Sequence, residues 1–157
     1  MNRSYNYRLT ATISDTNMEG NVYWTRFCEW FGKARELFLI SLLPDGVNVA
    51  EFLKSQRIAI ITCDVYMKFL KPVYFTDRIV VKINTDNFGK CSVVIVVTIV
   101  NEDTEEVVAI GRQKLAFTDT ETKEFVPIPS LLKEAAIAYE ATKTPLGVNS
   151  RKELVAK

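Results

Sequence analysis

The stretch Asp15-Thr16-Asn17-Met18-Glu19-Gly20-Asn21-Val22-Tyr23-Trp24 concentrates the residue types able to do chemistry in this chain. It is a short polar loop with one Gly, handing a strand-like segment over to a long amphipathic one. Asn17, Glu19 and several free backbone N–H groups would therefore meet at a helix N-terminus, a natural place to hold a carbonyl oxygen or an anion. The chain contains no histidine. That removes the usual general base, the Ser-His-Asp and Cys-His arrangements and the commonest metal ligand, leaving carboxylates, amides, Arg, Tyr and backbone dipoles. Cys28, Cys63 and Cys91 are isolated, with no metal or redox spacing, and read as buried free thiols. No metal and no cofactor is expected.

The elements that position this loop follow from hydrophobic periodicity. Tyr5, Tyr7, Leu9, Ala11 and Ile13 alternate with polar neighbours, the period of a half-buried first strand. After the loop, Tyr23, Phe27, Trp30, Phe31, Ala34 and Phe38 recur at spacings of three and four while Arg26, Glu29, Lys33 and Glu36 take other faces. This predicts one long aromatic helix ending near Pro44-Asp45-Gly46, with a short helical turn over 49–55. From Ile58 the chain turns to β character: 58–70, 78–86, 91–100 and 107–118, with turns at 87–90 and 102–105, predict an antiparallel meander. Ser130 is expected to cap a C-terminal helix after Pro127 and Pro129. A helix with this much aromatic surface needs a broad apolar partner, and a curved antiparallel sheet supplies one, so the class is α+β.

With 157 residues, 48% of them hydrophobic, the chain is expected to form one domain, 1–142, followed by a flexible tail, 143–157. Lys plus Arg number 20 against 19 for Asp plus Glu, without long blocks of one sign, so no nucleic-acid or membrane-surface partner is expected. The first residues lack an apolar leader segment and no run nears the ~18 apolar residues of a membrane span, so the expected location is cytoplasmic.

At Asp15 to Phe38 the sequence resembles the hotdog-fold thioesterases of the 4-hydroxybenzoyl-CoA thioesterase family. Their signature, Asp-x-Asp-x-x-Gly-x-Val-aromatic, stands here as Asp15, Asn17, Gly20, Val22 and Tyr23, followed by Trp30 and Arg35-Glu36 along the helix. The expected strand order matches that fold over residues 4–120. The resemblance implies a hotdog: a curved five-stranded antiparallel sheet wrapped around one central helix. Asn17 stands where the family usually carries its catalytic aspartate, and an amide neither takes a proton at neutral pH nor attacks a thioester. The stretch 16–24 together with Arg35-Glu36-Leu37-Phe38-Leu39 is more similar to the thioesterases of enediyne polyketide biosynthesis. Those enzymes also have Asn here and Arg on the helix, and they release a polyketide from an acyl carrier protein.

The resemblance gives the candidate residues their roles. The Tyr23 and Trp24 N–H groups, Trp24 above all, would donate to the thioester carbonyl as charge develops on it; the competing reading is an ordinary helix start capped by Asn21. Asn17 would orient water or hold the thioester oxygen, or else be a loop Asn. Arg35 would bind a substrate carbonyl or carboxylate, or fix Asn17 or a nearby Glu, or be a surface Arg paired with Glu29 or Glu36. Besides Asp15, Glu19 and Glu36 are the carboxylates that could act as base. Alternatively, Glu19 complements the helix dipole and Glu36 pairs with Lys33. Tyr23, Phe27, Trp30, Phe31 and Phe38 are expected mostly in the core, one or two lining an acyl tunnel. Thr62 is a further candidate, reaching the site across a subunit boundary.

A small sheet with one wrapped helix leaves open edges, so a homodimer or homotetramer with sites at subunit interfaces is expected. The expected activity is hydrolysis of an acyl or polyketide thioester on an acyl carrier protein. The alternatives are an acyl-CoA thioesterase and a non-catalytic acyl-binding hotdog protein; a hotdog dehydratase is disfavoured by the missing His.

Overall fold

The computed structural model describes residues 3–141; the expected tail, 143–157, lies outside the described residues. The elements run β1 (Tyr5–Thr10), a single 3-10 turn (Ile13–Asp15), α1 (Trp24–Leu42), α2 (Val49–Ser55), β2 (Ile58–Phe69), β3 (Arg78–Phe88), β4 (Ser92–Asn101), β5 (Val107–Asp119) and α3 (Ser130–Ala141). The expected elements are all present. Most boundaries shift by a residue or two, but β1 stops at Thr10 and Ile13, expected to continue it, lies in the 3-10 turn and is 70% exposed, while β3 continues through Asn87 and Phe88 because a bulge after Asp86 keeps it paired with β4.

One five-stranded antiparallel sheet holds the strands in the order β1-β3-β4-β5-β2. Only β3, β4 and β5 form the expected meander. β2 does not lie beside β3 but crosses to the far edge and pairs with β5, because 70–77, with Pro72, is a long connection rather than a hairpin turn. Gly111 makes that pairing close: a Cβ there would stand 2.6 Å from the Tyr66 carbonyl oxygen.

β4 alternates buried and half-buried residues, and its buried set, Val93, Ile95, Val97 and Ile99, shares one face with Ile79, Val81 and Ile83 of β3 and Leu115 and Phe117 of β5. Against this face α1 lays Phe27, Trp30, Phe31, Ala34, Phe38 and Leu42. Side chains of this size gain roughly 1.5–3 kcal/mol each on full burial, so this stripe fixes where α1 lies. The helix ends as Leu43 turns extended ahead of Pro44. Tyr23 falls out of the stripe: it is the residue before the first helical turn and is 48% exposed, not core.

α3 packs beside α1 through Leu132, Ala135, Ala136 and Tyr139. Its buried Glu140 takes hydrogen bonds from the Thr85 N–H and, at 2.7 Å, the Thr85 hydroxyl, tying the helix to β3. Ser130 is already helical rather than a cap; the Pro129 carbonyl accepts the first N–H bonds, from Leu132 and Lys133. The thiols are free as expected, with Cys28 and Cys91 half-buried, but Cys63 is exposed because it sits at the bulge of the edge strand β2.

Candidate functional site: a polar cleft and an apolar cavity along one helix

The loop before α1 is built by Asn17. Its side-chain Oδ1 accepts from the N–H groups of Glu19 (2.9 Å) and Asn21 (3.2 Å), its own N–H donates to the Asn21 carbonyl (2.7 Å), and Gly20 N–H returns to the Asn17 carbonyl (3.0 Å). Gly20 takes φ +82°, which only glycine adopts without strain. Asn17 therefore does serve the loop, as the plainer reading of it held. Its NH2 end donates to no described residue and faces outward with an exposed side chain.

Both signature neighbours are committed as well. Asp15 accepts from the N–H and hydroxyl of Thr12 and lies 3.9 Å from Arg26, which itself bonds Glu29 at 2.7 Å. Tyr23 N–H donates to the Asp15 carbonyl at 2.9 Å, so it is closed to a substrate. Trp24 N–H is different. The residue before the helix supplies no side-chain cap, Asn21 does not cap it either, and no described group accepts from Trp24 N–H. An uncapped first turn is an unfilled place for negative charge.

That open turn borders a cleft of ≈ 470 Å³ lined by Asn17, Asn21, Val22, Tyr23, Trp24, Phe27, Phe69, Leu70, Lys71 and Pro72. Lys71 is the one cation on its wall and is ion-paired with Glu106. Cys28, a turn further along α1, is not among the residues lining the cleft, and burial first, and Glu29 second, push its thiol pKa up.

Arg35 belongs elsewhere. It stands about 16 Å along α1 from Trp24, at 1.5 Å per residue, in a second cavity. There its guanidinium donates to Gln113 Oε1 at 2.7 Å, and Gln113 Nε2 donates to Thr62 Oγ1 at 2.8 Å. Glu36 lies 3.4 Å from Arg35 with a 68% exposed side chain. Its partner is thus Arg35, not Lys33. The cavity, ≈ 340 Å³, is walled by Phe38, Leu39, Leu42, Leu53, Ile58, Ile60, Val93, Ile95, Leu115 and Phe117, with Ile128 and, from α3, Leu132 and Ala136. Polar groups sit at its margin: Arg35, Glu36 and Thr62, then Thr85 and Lys133.

Within one chain, then, the expected residues divide. Asn17, Tyr23, Trp24 and Phe27 meet at the cleft; Arg35, Glu36 and Thr62 meet at the cavity; Phe31 lines neither and is core. Glu19 is exposed and, five residues before the helix, does not complement its first turn, which holds no acid. Gln113 was missed, although its signal was legible: it is a polar residue at an inward position of an alternating strand, flanked by Gly111 and Leu115. By its place before the helix, Asn21 signals only a cap. No described group of His, Cys, Asp and Glu side chains could hold a metal, and no described helix is long and apolar enough to cross a membrane.

Comparison with known proteins agrees with this architecture. A 1,4-dihydroxy-2-naphthoyl-CoA hydrolase of Thermosynechococcus vestitus is 27% identical over 126 residues, covering 80% of this chain and 84% of its own. A 1,4-dihydroxy-2-naphthoyl-CoA thioesterase from Synechocystis superposes with TM-score 0.77 at 16% identity, over 85% of this chain and 96% of its own. The dynemicin thioesterase, whose crystal structures concern polyene binding, superposes with TM-score 0.76 at 25% identity, over 88% of this chain and 99% of its own. The model of the thioesterase-like superfamily matches residues 11–136, and with its five-stranded sheet around α1 this chain belongs to that superfamily, as a hotdog-fold thioester hydrolase.

Proposed function

We propose that this protein hydrolyses the thioester of an acyl or polyketide chain carried on an acyl carrier protein, of the kind released in enediyne polyketide assembly, with an acyl-CoA as the alternative carrier. The observation that carries this reading is the uncapped N-terminus of α1: Trp24 N–H opens on the cleft with no acceptor of its own. Water adds to the thioester carbon and loses its proton to solvent, while the carbonyl π pair moves onto oxygen and is held by Trp24 N–H. The pair then returns, the C–S bond breaks, and the thiolate leaves and takes up a proton. A donor of this type contributes about 2.7–4 kcal/mol to such a transition state. Asn17, through its unbonded NH2, is a group that can steer the attacking water; Glu19 is the nearby exposed carboxylate.

Two observations support a long chain on a carrier protein. The cavity of ≈ 340 Å³ has a largely apolar wall suited to an acyl chain, and the single cation on the cleft wall is already paired with Glu106, which leaves little there for nucleotide phosphates. The curated hydrolase relative, named for a CoA substrate, favours the alternative.

The working unit in this reading is at least a homodimer. β2 is an edge strand of 12 residues with Ile61, Val65, Tyr66 and Phe69 all more than 40% exposed, a surface that asks to be covered. β2 starts at the apolar cavity (Ile58, Ile60, Thr62) and ends at the cleft (Phe69, Leu70). Antiparallel pairing of β2 with β2 of a second copy therefore sets the cleft of one copy beside the cavity of the other. Trp24 and Asn17 would then share a site with Arg35, Glu36 and Thr62 of the second copy.

The test is thiol release from one β-ketoacyl chain presented on CoA and on a carrier protein. Turnover favouring the carrier protein is expected; equal or better turnover on CoA selects the alternative, and binding without turnover on either selects an acyl-binding protein.

A further inference from the structure

The one buried polar side-chain atom without a hydrogen-bond partner among the described residues is Asn21 Oδ1. The Asn21 NH2 end donates to no described residue either, so the whole side-chain amide is idle. Asn21 is half-buried with Oδ1 its inaccessible atom, and a buried amide oxygen is normally bonded, because an unmet acceptor loses its water for nothing, so the exception asks for an explanation.

Three features make accident a poor one. The Asn21 backbone is pinned on both sides, its N–H to Asn17 Oδ1, its carbonyl to Asn17 N–H, and its position bridged to Tyr74. The side chain is thus presented from a rigid frame, not from a loose loop. It lines the same cleft as Trp24, three residues before the helix begins. And it does not serve the role that its sequence position suggests, since α1 has no side-chain cap. With Oδ1 turned inward and inaccessible, the end of the amide left for the cleft is the NH2.

We propose that Asn21 is a substrate-binding residue of the hydrolysis, its NH2 acting with Trp24 N–H as the second donor to the thioester carbonyl oxygen. The inference rests on the proposed thioester hydrolysis at the cleft. It divides the loop's labour: Asn17 Oδ1 holds the loop in shape, and Asn21 is what that shape presents. Two donors converging on one oxygen give the developing oxyanion a defined direction, which a single uncapped N–H does not.

The experiment compares wild type, Asn21→Ala and Asn21→Asp on one acyl thioester, with kcat and KM resolved and thermal midpoints measured alongside. For Asn21→Ala the expectation is a kcat lower by ~10²-fold with KM changed little, and a thermal midpoint equal to or above wild type, since no native hydrogen bond is lost. Asn21→Asp places a carboxylate against the oxyanion. Its activity should lie below that of the Ala variant near pH ~8 and recover toward pH ~4, as the protonated carboxyl regains a donor. A kcat for Asn21→Ala within about threefold of wild type overturns the inference and leaves the hydrolysis standing. So does a loss of activity that follows a fallen thermal midpoint, which marks a structural role. A wild type that releases no thiol from CoA or carrier protein overturns the proposed function, and this inference with it.

Discussion

The two hollows along α1 differ in almost every physical respect. The cleft at the helix start is open, edged by amides and an uncapped N–H, and its polar groups are held by the backbone of a loop. The cavity three turns further on is lined by aliphatic and aromatic side chains from four strands and three helices, and the polar relay Arg35-Gln113-Thr62, buried at Gln113, is internally bonded. The first is short of partners and the second is not. Unmet donors are where a reacting oxygen gains most, whereas an apolar hollow selects a substrate by shape, and Arg35 at its margin is already bonded to Gln113. In the proposed function, chemistry falls to the cleft and chain selection to the cavity.

The sharpest way to break that division is at Asn17. Asn17→Ala removes the acceptor for the Glu19 and Asn21 N–H groups, and kcat/KM is expected to fall by ~10²-fold or more. Asn17→Asp keeps an acceptor for both and should keep the loop. Hydrogen exchange at the Glu19 and Asn21 amides, fast in the first variant and slow in the second, checks that the loop is the cause.

At the other hollow the effect should appear as stability before it appears as rate. Arg35→Ala strips Gln113 Oε1 of its donor at a 7% exposed residue, which is expected to cost about 1–3 kcal/mol, read by urea denaturation. Gln113→Leu, which removes the relay's centre without leaving that orphan oxygen, should cost less. If Arg35→Ala instead leaves stability untouched, the relay is not a structural unit.

Filling the cavity tests selection directly. Ala136→Phe projects a ring from α3 into the cavity, and kcat/KM for a long acyl chain should drop ~10-fold or more while a short chain is hydrolysed as before. Equal losses for both chains would join the two hollows into one functional unit.

The smallest effect is expected at the turn after β5, where Asp119 lines neither hollow. The N–H groups of Thr122 and then Glu121, with Arg57 adding to them, hold the Asp119 carboxyl below its usual pKa. A folded-state pKa below the unfolded one adds stability above the unfolded value, near pH ~3.9, that is lost as pH falls through the folded value. Asp119→Asn should therefore lower the thermal midpoint slightly at neutral pH, and the gap from wild type should close on acidification.

Much of this fold was legible because it is written in periodicity. The three-four spacing of Phe27, Trp30, Phe31, Ala34 and Phe38 and the alternation of Val93, Ile95, Val97 and Ile99 are burial patterns, and burial is what the structure shows. The place of β2 was not legible, since an edge position depends on what the strand fails to pair with. Asn17 was visible as a residue of interest, yet only the bonds to Glu19 and Asn21 show that its Oδ1 is taken by the loop while its NH2 is left unbonded. Arg35 and Asn17 were expected at one thioester because both match one motif. The helix rise puts them in different hollows of a single chain.

The sequence by itself determined the class, the long aromatic helix, the polar loop before it and the absence of histidine chemistry, because each depends on residue types and on spacings within one element. Only the tertiary structure decided which N–H is open, which amide is idle, and that Gln113 joins Arg35 to Thr62. Those facts depend on which donors find acceptors across the chain, and hydrogen-bond satisfaction is a property of packed neighbours rather than of any segment alone.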